Sequence, residues 1–458
     1  MSKMEFTIAN AILKNAINRV SALVDKKASI PAFQGVLIKA AENKVAISAV
    51  NAYDRDVYAT VYINDVTIIE DGAVCITLVD VEKILMIKDI IHIEVNDNFV
   101  VSAKNAKKKS KVCGFSDGEF IDIPYVDCCA ENLVMTIPDG MKFCEDMKII
   151  GQTKMISDSR PIFKGFNFNS TNKSICTIDG FQATIKTVDY WSDNSTNITI
   201  TGRTDGDLTK LIGKNHEPIT MYNNGKYVAF IGSDFKYVCR LIDGKFIDWK
   251  EIMPTKDALS EFKFADTKTF LDTLKEYDKF NNVKSITPCV MAGYSDYAIL
   301  TDYRNANYTT TDEVEIKGRI DKDMLIGLNP KYLHTALSLY HKLGIDYTVR
   351  TYGRMNPIVI FGGDFINLVV PMRISEGRDK ESIIKEYAAW RKFIRTYKNI
   401  LKCKFQHQIL QNWLEVYKNV CKDKSKKCKE YFKFRDGVMG ITCPLHRFRR
   451  KNLRNCKR

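Results

Sequence analysis

The chain has 458 residues, of which 45% are apolar and 27% are charged, and its formal net charge at pH 7 is +14. This length predicts about three domains of ordinary size instead of one. No stretch has the ~18 uncharged apolar residues of a membrane span, and the start MSKMEFTIAN lacks the apolar segment of a signal peptide, which predicts a cytoplasmic protein without a membrane partner.

The positive charge is concentrated near the end of the chain. Residues 376–458 contain 24 Lys and Arg against 8 Asp and Glu, whereas residues 1–375 contain 45 against 47. The two parts therefore differ in electrostatic character. We predict a slightly acidic body, followed by a basic, Cys-containing extension over 376–458.

Thirteen cysteines are spread through the chain at irregular spacing. Disulfide frameworks are typical of secreted proteins, and this sequence shows no secretion signal. We therefore expect the cysteines of the body to be reduced thiols that pack as small apolar residues.

Three segments combine a strand pattern with a helix pattern. They are MEFTIANAILKNAINRV from Met4, LVMTIPDGMKFCEDMKII from Leu133 and EFKFADTKTFLDTLKEY from Glu261. In each segment the apolar residues first alternate, as in a half-buried strand. They then recur at the three- and four-residue spacing of an amphipathic helix. Each segment therefore predicts a strand followed by a helix.

A second pattern, a strand followed by a polar turn and another strand, recurs half a repeat later. Each copy follows the preceding one by 128 residues, counted at Ile91, Ile219 and Tyr347. Short helices are predicted before these hairpins, over 79–88, 204–212 and 330–342. Two patterns with one period indicate an internal repeat.

We therefore predict an α+β fold of three repeated domains, each with two helices packed on antiparallel sheets of about eight strands in all. The predicted domain boundaries are 1–128, 129–254 and 255–375. In the extension, apolar and aromatic residues recur at helical spacing and predict one or two further helices, a helical C-terminal tail: Trp390, Phe393, Tyr397, Ile409, Trp413, Val416.

The extension combines Lys and Arg with aromatic residues. This composition is typical of nucleic-acid binding, because phosphates pair with basic groups and bases stack on aromatic rings. A solvated basic appendage that docks on the rest of the chain, or on a protein partner, is the alternative.

Six side chains of the extension could bind zinc, which favours Cys and His in tetrahedral sites. No two pairs among them have a standard zinc-finger spacing. We predict no metal and no cofactor, with zinc in the extension as the alternative, at Cys403, His407, Cys421, Cys428, Cys443 and His446.

Three local signatures resemble the bacterial DNA polymerase III beta subunit, the beta sliding clamp family. The first is MEFTIANAILKNAINRVSALVDKKASIPAFQGVLIKA, with NAYDRDVYA from Asn51. The second is TIDGFQATI (177–185) with LIDGKFIDWKEIMP (241–254), and the third is NLVVPMRI (367–374). They occur in the family's order, and in the family the chain normally ends after the third.

The resemblance implies three clamp domains per chain and a head-to-tail homodimer that forms a ring around double-stranded DNA. Such a clamp confers processivity on a replicative DNA polymerase, is opened by a clamp-loader ATPase and has no catalytic activity. The alternative is a non-catalytic DNA-binding or regulatory protein, in which the basic tail binds nucleic acid and the clamp-like body is a scaffold.

The expected DNA-binding residues are basic. The helical patterns place five lysines on the outward, polar faces of the predicted helices, and the resemblance adds Lys27, Arg160 and Arg203. The five are Lys14, Lys83, Lys210, Lys275 and Lys342. In the family two tyrosines contact DNA where this chain has Pro161 and Ile162. An ordinary solvated helix face is the alternative for each lysine.

The resemblance also implies a hydrophobic cleft between the second and third domains that binds linear motifs of partner proteins. Its expected residues are Phe163, Ile178, Gly180, Phe181, Gln182, Ala183, Ile247, Trp249, Ile252, Val370, Pro371, Met372 and Arg373. Phe181-Gln182-Ala183 stands where the family has His-Arg-Leu, Glu251 where it has Arg, and Val370 where it has Met. We therefore expect the cleft of this chain to prefer a different partner motif. Ordinary core packing is the alternative.

The sequence does not indicate an enzyme. None of the four histidines of the body is paired with a Cys or Ser at a spacing typical of a catalytic site: His92, His216, His334 and His341. The sequence also lacks a phosphate-binding Walker loop and an acidic cluster typical of a two-metal nuclease. We therefore predict no catalytic residues.

Overall fold

The computed structural model describes residues 3–29, 31–51, 57–116, 129–279, 289–294, 297–302, 311–374 and 380–402. The chain divides into two units, Met1–Glu251 and Ile252–Arg458. The boundaries of the three predicted domains and of the extension stay a prediction.

The first unit starts with the strand and helix that the opening segment predicts, β1 (Met4–Ala9) and α1 (Asn10–Val20). Alternate residues of β1 are buried, and α1 buries a stripe that includes Leu13, Ile17 and Val20. The next elements are β2 (Gly35–Ala41), β3 (Lys44–Val50), β4 (Tyr58–Ile63), β5 (Thr67–Glu70), β6 (Gly72–Thr77), α2 (Leu78–Leu85), β7 (Ile90–Val95), β8 (Val100–Lys104) and β9 (Lys109–Cys113).

The second strand-helix segment is confirmed as β10 (Leu133–Ile137) and α3 (Gly140–Ile150). The Asp139 side chain caps α3, because it accepts a hydrogen bond from the backbone N–H of Lys142 at 2.8 Å. The rest of this unit consists of β11 (Phe166–Asn169), β12 (Ser174–Ile178), β13 (Gln182–Thr187), β14 (Asn197–Ile200), α4 (Thr204–Ile212), β15 (Ile219–Asn223), β16 (Tyr227–Ile231) and β17 (Phe235–Arg240).

The sheets of the first unit are antiparallel. One sheet has the order β5-β1-β7-β8-β9, another has β10-β15-β16-β17-β4-β3-β2-β6, and β11 to β14 follow the order β14-β11-β12-β13. The pairing of β17 with β4, from Phe235 opposite Val61 to Val238 opposite Tyr58, joins strands of the first two predicted repeats. The buried apolar residues of both repeats therefore lie under a shared sheet.

The second unit again begins with a strand and a helix, followed by several strands, a second helix and a hairpin. It contains β18 (Ser260–Phe264), α5 (Thr267–Asp278), β19 (Cys289–Tyr294), β20 (Tyr297–Asp302), β21 (Thr311–Arg319), β22 (Leu325–Leu328), α6 (Pro330–Leu343), β23 (Thr348–Thr351), β24 (Ile358–Gly362), β25 (Phe365–Val369) and α7 (Lys380–Lys402). Its strands follow the order β25-β24-β23-β18-β21-β20-β19-β22, and α5 packs on α6. The third strand-helix segment is thereby confirmed.

The hairpins and the short helices agree with their predictions, apart from one helix end. The helix predicted over 79–88 is α2, which ends at Leu85. The backbone N–H of Ile87 donates to the Ile84 carbonyl at 3.0 Å, a three-residue bond that closes the last turn of the helix. The chain therefore leaves the helix earlier than the apolar pattern indicates.

The cysteine prediction holds where the structure can test it. The cysteines that the structure describes form no disulfide, and five of them are buried: Cys75, Cys144, Cys176, Cys239 and Cys289. Burial raises the pKa of the Cys144 thiol to about 12, so this group stays neutral and packs as an apolar side chain. Within the described ranges, no helix is both long and apolar enough to cross a membrane.

Candidate DNA-facing and partner-binding sites

The five lysines predicted to face DNA lie on five different helices. Each helix buries its apolar residues and leaves its lysine exposed: Lys14 on α1, Lys83 on α2, Lys210 on α4, Lys275 on α5 and Lys342 on α6. A lysine ammonium on a flexible stem can neutralise a phosphate without fixing its position. The five exposures are compatible with non-specific DNA contacts, and that role stays a prediction.

Two of these lysines pair with acids on their own helices. The Lys83 Nζ lies 2.6 Å from Asp80 Oδ1, and the Lys275 Nζ lies 3.8 Å from Asp272 Oδ1. Exposed pairs of this kind contribute about 0–1 kcal/mol, because water solvates both charges well. A phosphate can therefore replace either acid at small cost.

Arg203, which the resemblance predicts near DNA, is held by a buried acid. Its Nε donates to Asp207 Oδ2 at 2.7 Å, and its Nη2 donates to Asp207 Oδ1 at 3.2 Å. The Tyr237 hydroxyl also donates to Asp207 Oδ2, at 3.2 Å. Burial raises the pKa of Tyr237 well above its usual value, so the phenol remains a donor. Arg203 thus compensates a buried carboxylate, in addition to any contact with DNA.

The other two predicted DNA contacts, Lys27 and Arg160, lie in connecting segments and are exposed. The backbone N–H of Lys27 donates to Asp25 Oδ1 at 2.9 Å. The guanidinium carbon of Arg160 lies 5.7 Å from the centre of the Phe163 ring. A cation over an aromatic ring has a preferred position, so Arg160 is the better oriented of the two.

An open cavity beside Arg203 brings this residue together with two lysines that the sequence did not single out. It has a volume of about 370 Å³ and is lined in part by Lys154, Lys164 and Arg203. The Lys154 Nζ lies 3.1 Å from Asp205 Oδ2 and 4.5 Å from the centre of the Phe166 ring. The basic residues come from separate segments of the chain, so no spacing in the sequence could have indicated this cavity.

Most of the predicted partner-binding residues of the first unit are buried. The Phe163 ring packs edge-on against Phe246, with ring centres 5.5 Å apart, and Trp249 Nε1 donates to Ser174 Oγ at 3.0 Å. Side chains packed in this way support the overlying surface but are not exposed on it. Ile247 is half-buried, Gly180 is exposed, and the buried members are Phe163, Ile178, Gln182, Ala183 and Trp249.

Phe181 is 58% exposed, and a tight turn holds it at the surface. Asp179 Oδ1 accepts hydrogen bonds from the backbone N–H of Phe181 at 2.8 Å and of Gln182 at 2.9 Å. Gly180 has a φ of +96°, which glycine adopts without steric cost. The turn therefore fixes the position of a large aromatic ring in solvent.

In the second unit the predicted partner-binding residues are exposed or half-buried. The backbone N–H of Met372 donates to the Gly327 carbonyl at 2.8 Å, and a Cβ at Gly327 would lie 2.4 Å from the Met372 oxygen. Glycine thus permits the segment after β25 to lie against β22. The predicted residues of this unit are Ile252, Val370, Pro371, Met372 and Arg373.

Comparison with known proteins finds similarity to one family along most of the chain. The family model for the DNA polymerase III beta subunit, N-terminal domain, matches residues 4–124. The beta sliding clamp of Bacillus subtilis (strain 168) is 22% identical over 390 residues, which cover 81% of this chain and 100% of the relative. The beta sliding clamp of Halalkalibacterium halodurans is 23% identical over 400 residues, with the same coverage. Over 81% of its length the chain is therefore similar to beta sliding clamps, and residues 4–124 match the N-terminal domain of the DNA polymerase III beta subunit.

Solved structures of beta sliding clamps share the fold of this chain. The sliding clamp of Bacillus subtilis has a TM-score of 0.69 at 19% identity and covers 82% of this chain and 100% of its own. The Helicobacter pylori beta clamp, solved with a DNA ligase peptide, has a TM-score of 0.65 at 18% identity and covers 81% and 100%. At these identities the likeness shows the fold.

The described part of the extension is α7, which buries Ile383 and Tyr387. The rest of the extension lies outside the described residues, including the six Cys and His candidates for zinc from Cys403 to His446. Among the residues that the structure describes, no group of three or more His, Cys, Asp or Glu could hold a metal ion. The absence of a cofactor stays a prediction.

Proposed function

We propose that the chain acts as a DNA sliding clamp, a ring that encircles double-stranded DNA and confers processivity on a replicative DNA polymerase. The threefold repeat of strand, helix and hairpin carries this proposal, because each repeat has exposed lysines on its helices. Each phosphate that a protein neutralises adds affinity through counterion release. A body with 45 basic and 47 acidic residues attracts DNA weakly, as sliding requires.

Two strands support a head-to-tail homodimer. β9 is the last strand of its sheet. β21 pairs with β20 through Thr311–Glu315 and with β18 through Ile316–Arg319, and the Glu315 carbonyl accepts a hydrogen bond from the backbone N–H of Ala265 at 3.0 Å. The described residues thus leave one side of 311–314 uncovered. An uncovered strand edge can pair with another chain. The two edges belong to different strands, so each protomer pairs head to tail with the next. Such a heterologous arrangement forms a closed ring when the rotation from one protomer to the next returns to the first.

Charge supports the same pairing. The β9 strand and the turn before it contain Lys107, Lys108, Lys109 and Lys111, whereas the first half of β21 exposes Glu313 and Glu315. Opposite charges across an interface increase the rate of association and select the correct partner. We therefore assign β9 of one protomer to β21 of its partner.

Phe181 is our candidate for the centre of the site that binds partner motifs. Large aromatic side chains contribute most of the binding energy at many interfaces, and the Asp179–Gly180 turn orients this ring in advance. A related beta clamp was solved with a DNA ligase peptide. The exposed Ile252 and Val370 remain further candidates, so we expect hydrophobic linear motifs to bind this chain.

We assign catalysis to the proteins that bind the clamp. The curated relatives are named beta sliding clamps, which are accessory proteins of a polymerase. We propose that a clamp-loader ATPase opens the ring and that the chain has no catalytic site or cofactor of its own. Zinc in the extension remains the alternative, which metal analysis of the purified full chain would decide.

Retention on circular DNA tests the ring. The chain is loaded onto a nicked circular plasmid with the clamp loader of its host and ATP, and the complex is filtered in moderate salt. We expect the chain to remain on the circle and to leave the same plasmid after linearisation. Loss from both forms would contradict topological binding, and equal retention on both would indicate ordinary DNA affinity.

A further inference from the structure

α7 covers one face of a sheet in the second unit. Its Ile383 and Tyr387 are each 3% exposed, and Ile384 and Trp390 are half-buried beside them. The strands are buried on their other face as well. The helix is therefore a structural layer of this unit. Its apolar side chains pack against Val290, Ala292, Tyr297, Ile299 and Leu325 of β19, β20 and β22.

The helix lies over a row of directly paired residues. Leu325 of β22 is opposite Ala292 of β19, which is opposite Ile299 of β20. Ile299 is in turn opposite Glu313 of β21. Directly opposed residues of antiparallel strands have their side chains on the same face. The row therefore crosses four strands and ends at an acid.

Two side chains of α7, one turn apart, hold that acid. The Tyr387 hydroxyl donates to Glu313 Oε2, and Arg391 Nη2 donates to Glu313 Oε1 at 3.1 Å. The guanidinium carbon of Arg391 lies 5.1 Å from the centre of the Tyr297 ring. Burial and the bond to Glu313 raise the pKa of Tyr387, so its phenol stays protonated at neutral pH. The helix is thus anchored at β21.

α7 extends beyond that anchor. From Arg391 it continues as a helix to Lys402, a further ~16 Å at about 1.5 Å per residue. Neighbouring strands are ~4.8 Å apart, so this length would span about three more strands. Beside the first half of β21, the described part of the chain has no further strand. A straight helix of this length passes beyond the first half of β21, on the side where no strand is described.

We propose that the last turns of α7 bind a second copy of this chain, on the β8–β9 hairpin that pairs with β21. The proposal rests on the head-to-tail dimer proposed above, because a strand added to β21 lies where α7 overhangs. In the sequence, apolar residues continue the spacing of Ile383 and Tyr387 at Ile394, Tyr397 and Leu401. α7 is then a clasp across the protomer junction, which the family's usual chain end after Pro-Met-Arg does not include.

The charges of the two surfaces predict how salt affects the clasp. The β8–β9 hairpin is basic, with Lys109 and Lys111 exposed on β9, and the last turns of α7 are also basic. Salt screens repulsion between like charges. The contribution of α7 to dimer affinity therefore increases with salt, whereas the attraction between β9 and the acids of β21 decreases.

Cysteine cross-linking in the full chain tests this contact. Cys113 is a native, exposed thiol on β9. Cys403 directly follows α7 and is replaced by Ser in every chain of the experiment. Cysteines are then added one at a time over one helical turn, as Arg395→Cys, Thr396→Cys, Tyr397→Cys and Lys398→Cys, so that every face of the helix is sampled. The chains are treated with a short bismaleimide and separated on a denaturing gel. The matched controls are Lys385→Cys, on the first half of α7, and each variant combined with Cys113→Ser.

We expect a cross-linked dimer from at least one position of the turn, lost with Cys113→Ser and absent from Lys385→Cys. Light scattering on the same samples separates the two possible failures. A monomer at micromolar concentration would overturn the head-to-tail dimer itself. An intact dimer without a Cys113-dependent product would overturn the clasp and leave the clamp proposal standing.

Discussion

Arg19 binds Asp234 through a side-chain ion pair that joins α1 to the turn between β16 and β17. The Nη2 of Arg19 donates to Asp234 Oδ1 at 2.7 Å, and its Nε donates to the Leu211 carbonyl at 2.6 Å. Arg19 belongs to the first predicted repeat, whereas Leu211 and Asp234 belong to the second. One side chain therefore connects the two repeats, next to the β4–β17 strand pair.

Replacing this arginine should weaken the first unit. We expect Arg19→Gln to lower the free energy of unfolding by about 1–3 kcal/mol, because a partly buried carboxylate and a carbonyl lose their charged donor. Urea unfolding followed by circular dichroism measures the change. Lys26→Gln is the control, since Lys26 and Glu82 form an exposed pair worth about 0–1 kcal/mol. Equal losses in both variants would contradict a special role for Arg19.

The helix lysines should determine the salt dependence of DNA binding. We expect Lys210→Ala combined with Lys275→Ala to reduce the slope of log affinity against log salt by about 1–2, since each lost phosphate contact removes about 0.9. Fluorescence anisotropy with a short duplex measures this slope. The control combines Lys39→Ala, the exposed position of the buried strand β2, with Lys226→Ala, in the turn between β15 and β16. If the slope of the control variant falls by the same amount, the helix lysines are not the specific contacts with DNA.

Phe181 should dominate the binding of partner motifs. We expect Phe181→Ala to weaken binding of a C-terminal peptide of the host's replicative polymerase by roughly 10- to 100-fold, as loss of an aromatic anchor does. Isothermal titration calorimetry measures the affinity. Ile69→Ala is the control, because Ile69 is equally exposed but lies on β5. Unchanged affinity in Phe181→Ala would remove this residue from the site.

The cap of α3 should give a pH-dependent contribution to stability. The backbone hydrogen bond from Lys142 and the contact with His216 lower the pKa of Asp139. A carboxyl whose folded pKa is lowered stabilises the fold above its unfolded pKa, and this stabilisation is lost as the pH falls through the folded pKa.

We therefore expect Asp139→Ala to lower the thermal midpoint at neutral pH, and the difference from the wild-type chain to shrink below about pH 4. Differential scanning calorimetry across this range provides the measurement. The exposed Asp257→Ala serves as the control. A difference that stays constant down to acid pH would mean that the Asp139 charge does not contribute.

Removing α7 should destabilise the second unit. A chain that ends at Ile374 exposes the apolar face of β19, β20 and β22, so we expect a lower thermal midpoint and aggregation on heating. A chain that ends at Lys402 keeps this helix and should unfold at the temperature of the full chain. Equal midpoints for the two truncated chains would show that α7 is dispensable for the fold.

The sequence determined those features that depend on local periodicity. Strand alternation and helical spacing placed β1, α1, β10, α3, β18 and α5, and the 128-residue period revealed the repeat. The Asp179-Gly180 pair likewise specified a turn that only local hydrogen bonds are needed to form. Such patterns are readable because burial repeats along a regular element.

The tertiary structure decided which distant side chains meet. The pairing of Arg19 with Asp234 and the cavity shared by Lys154, Lys164 and Arg203 depend on strand register and on how the chain folds back. The helical pattern of α7 predicted a helix, but the row that it covers and its anchor at Glu313 follow from pairings across four strands. These contacts join residues far apart in sequence, where no local spacing records them.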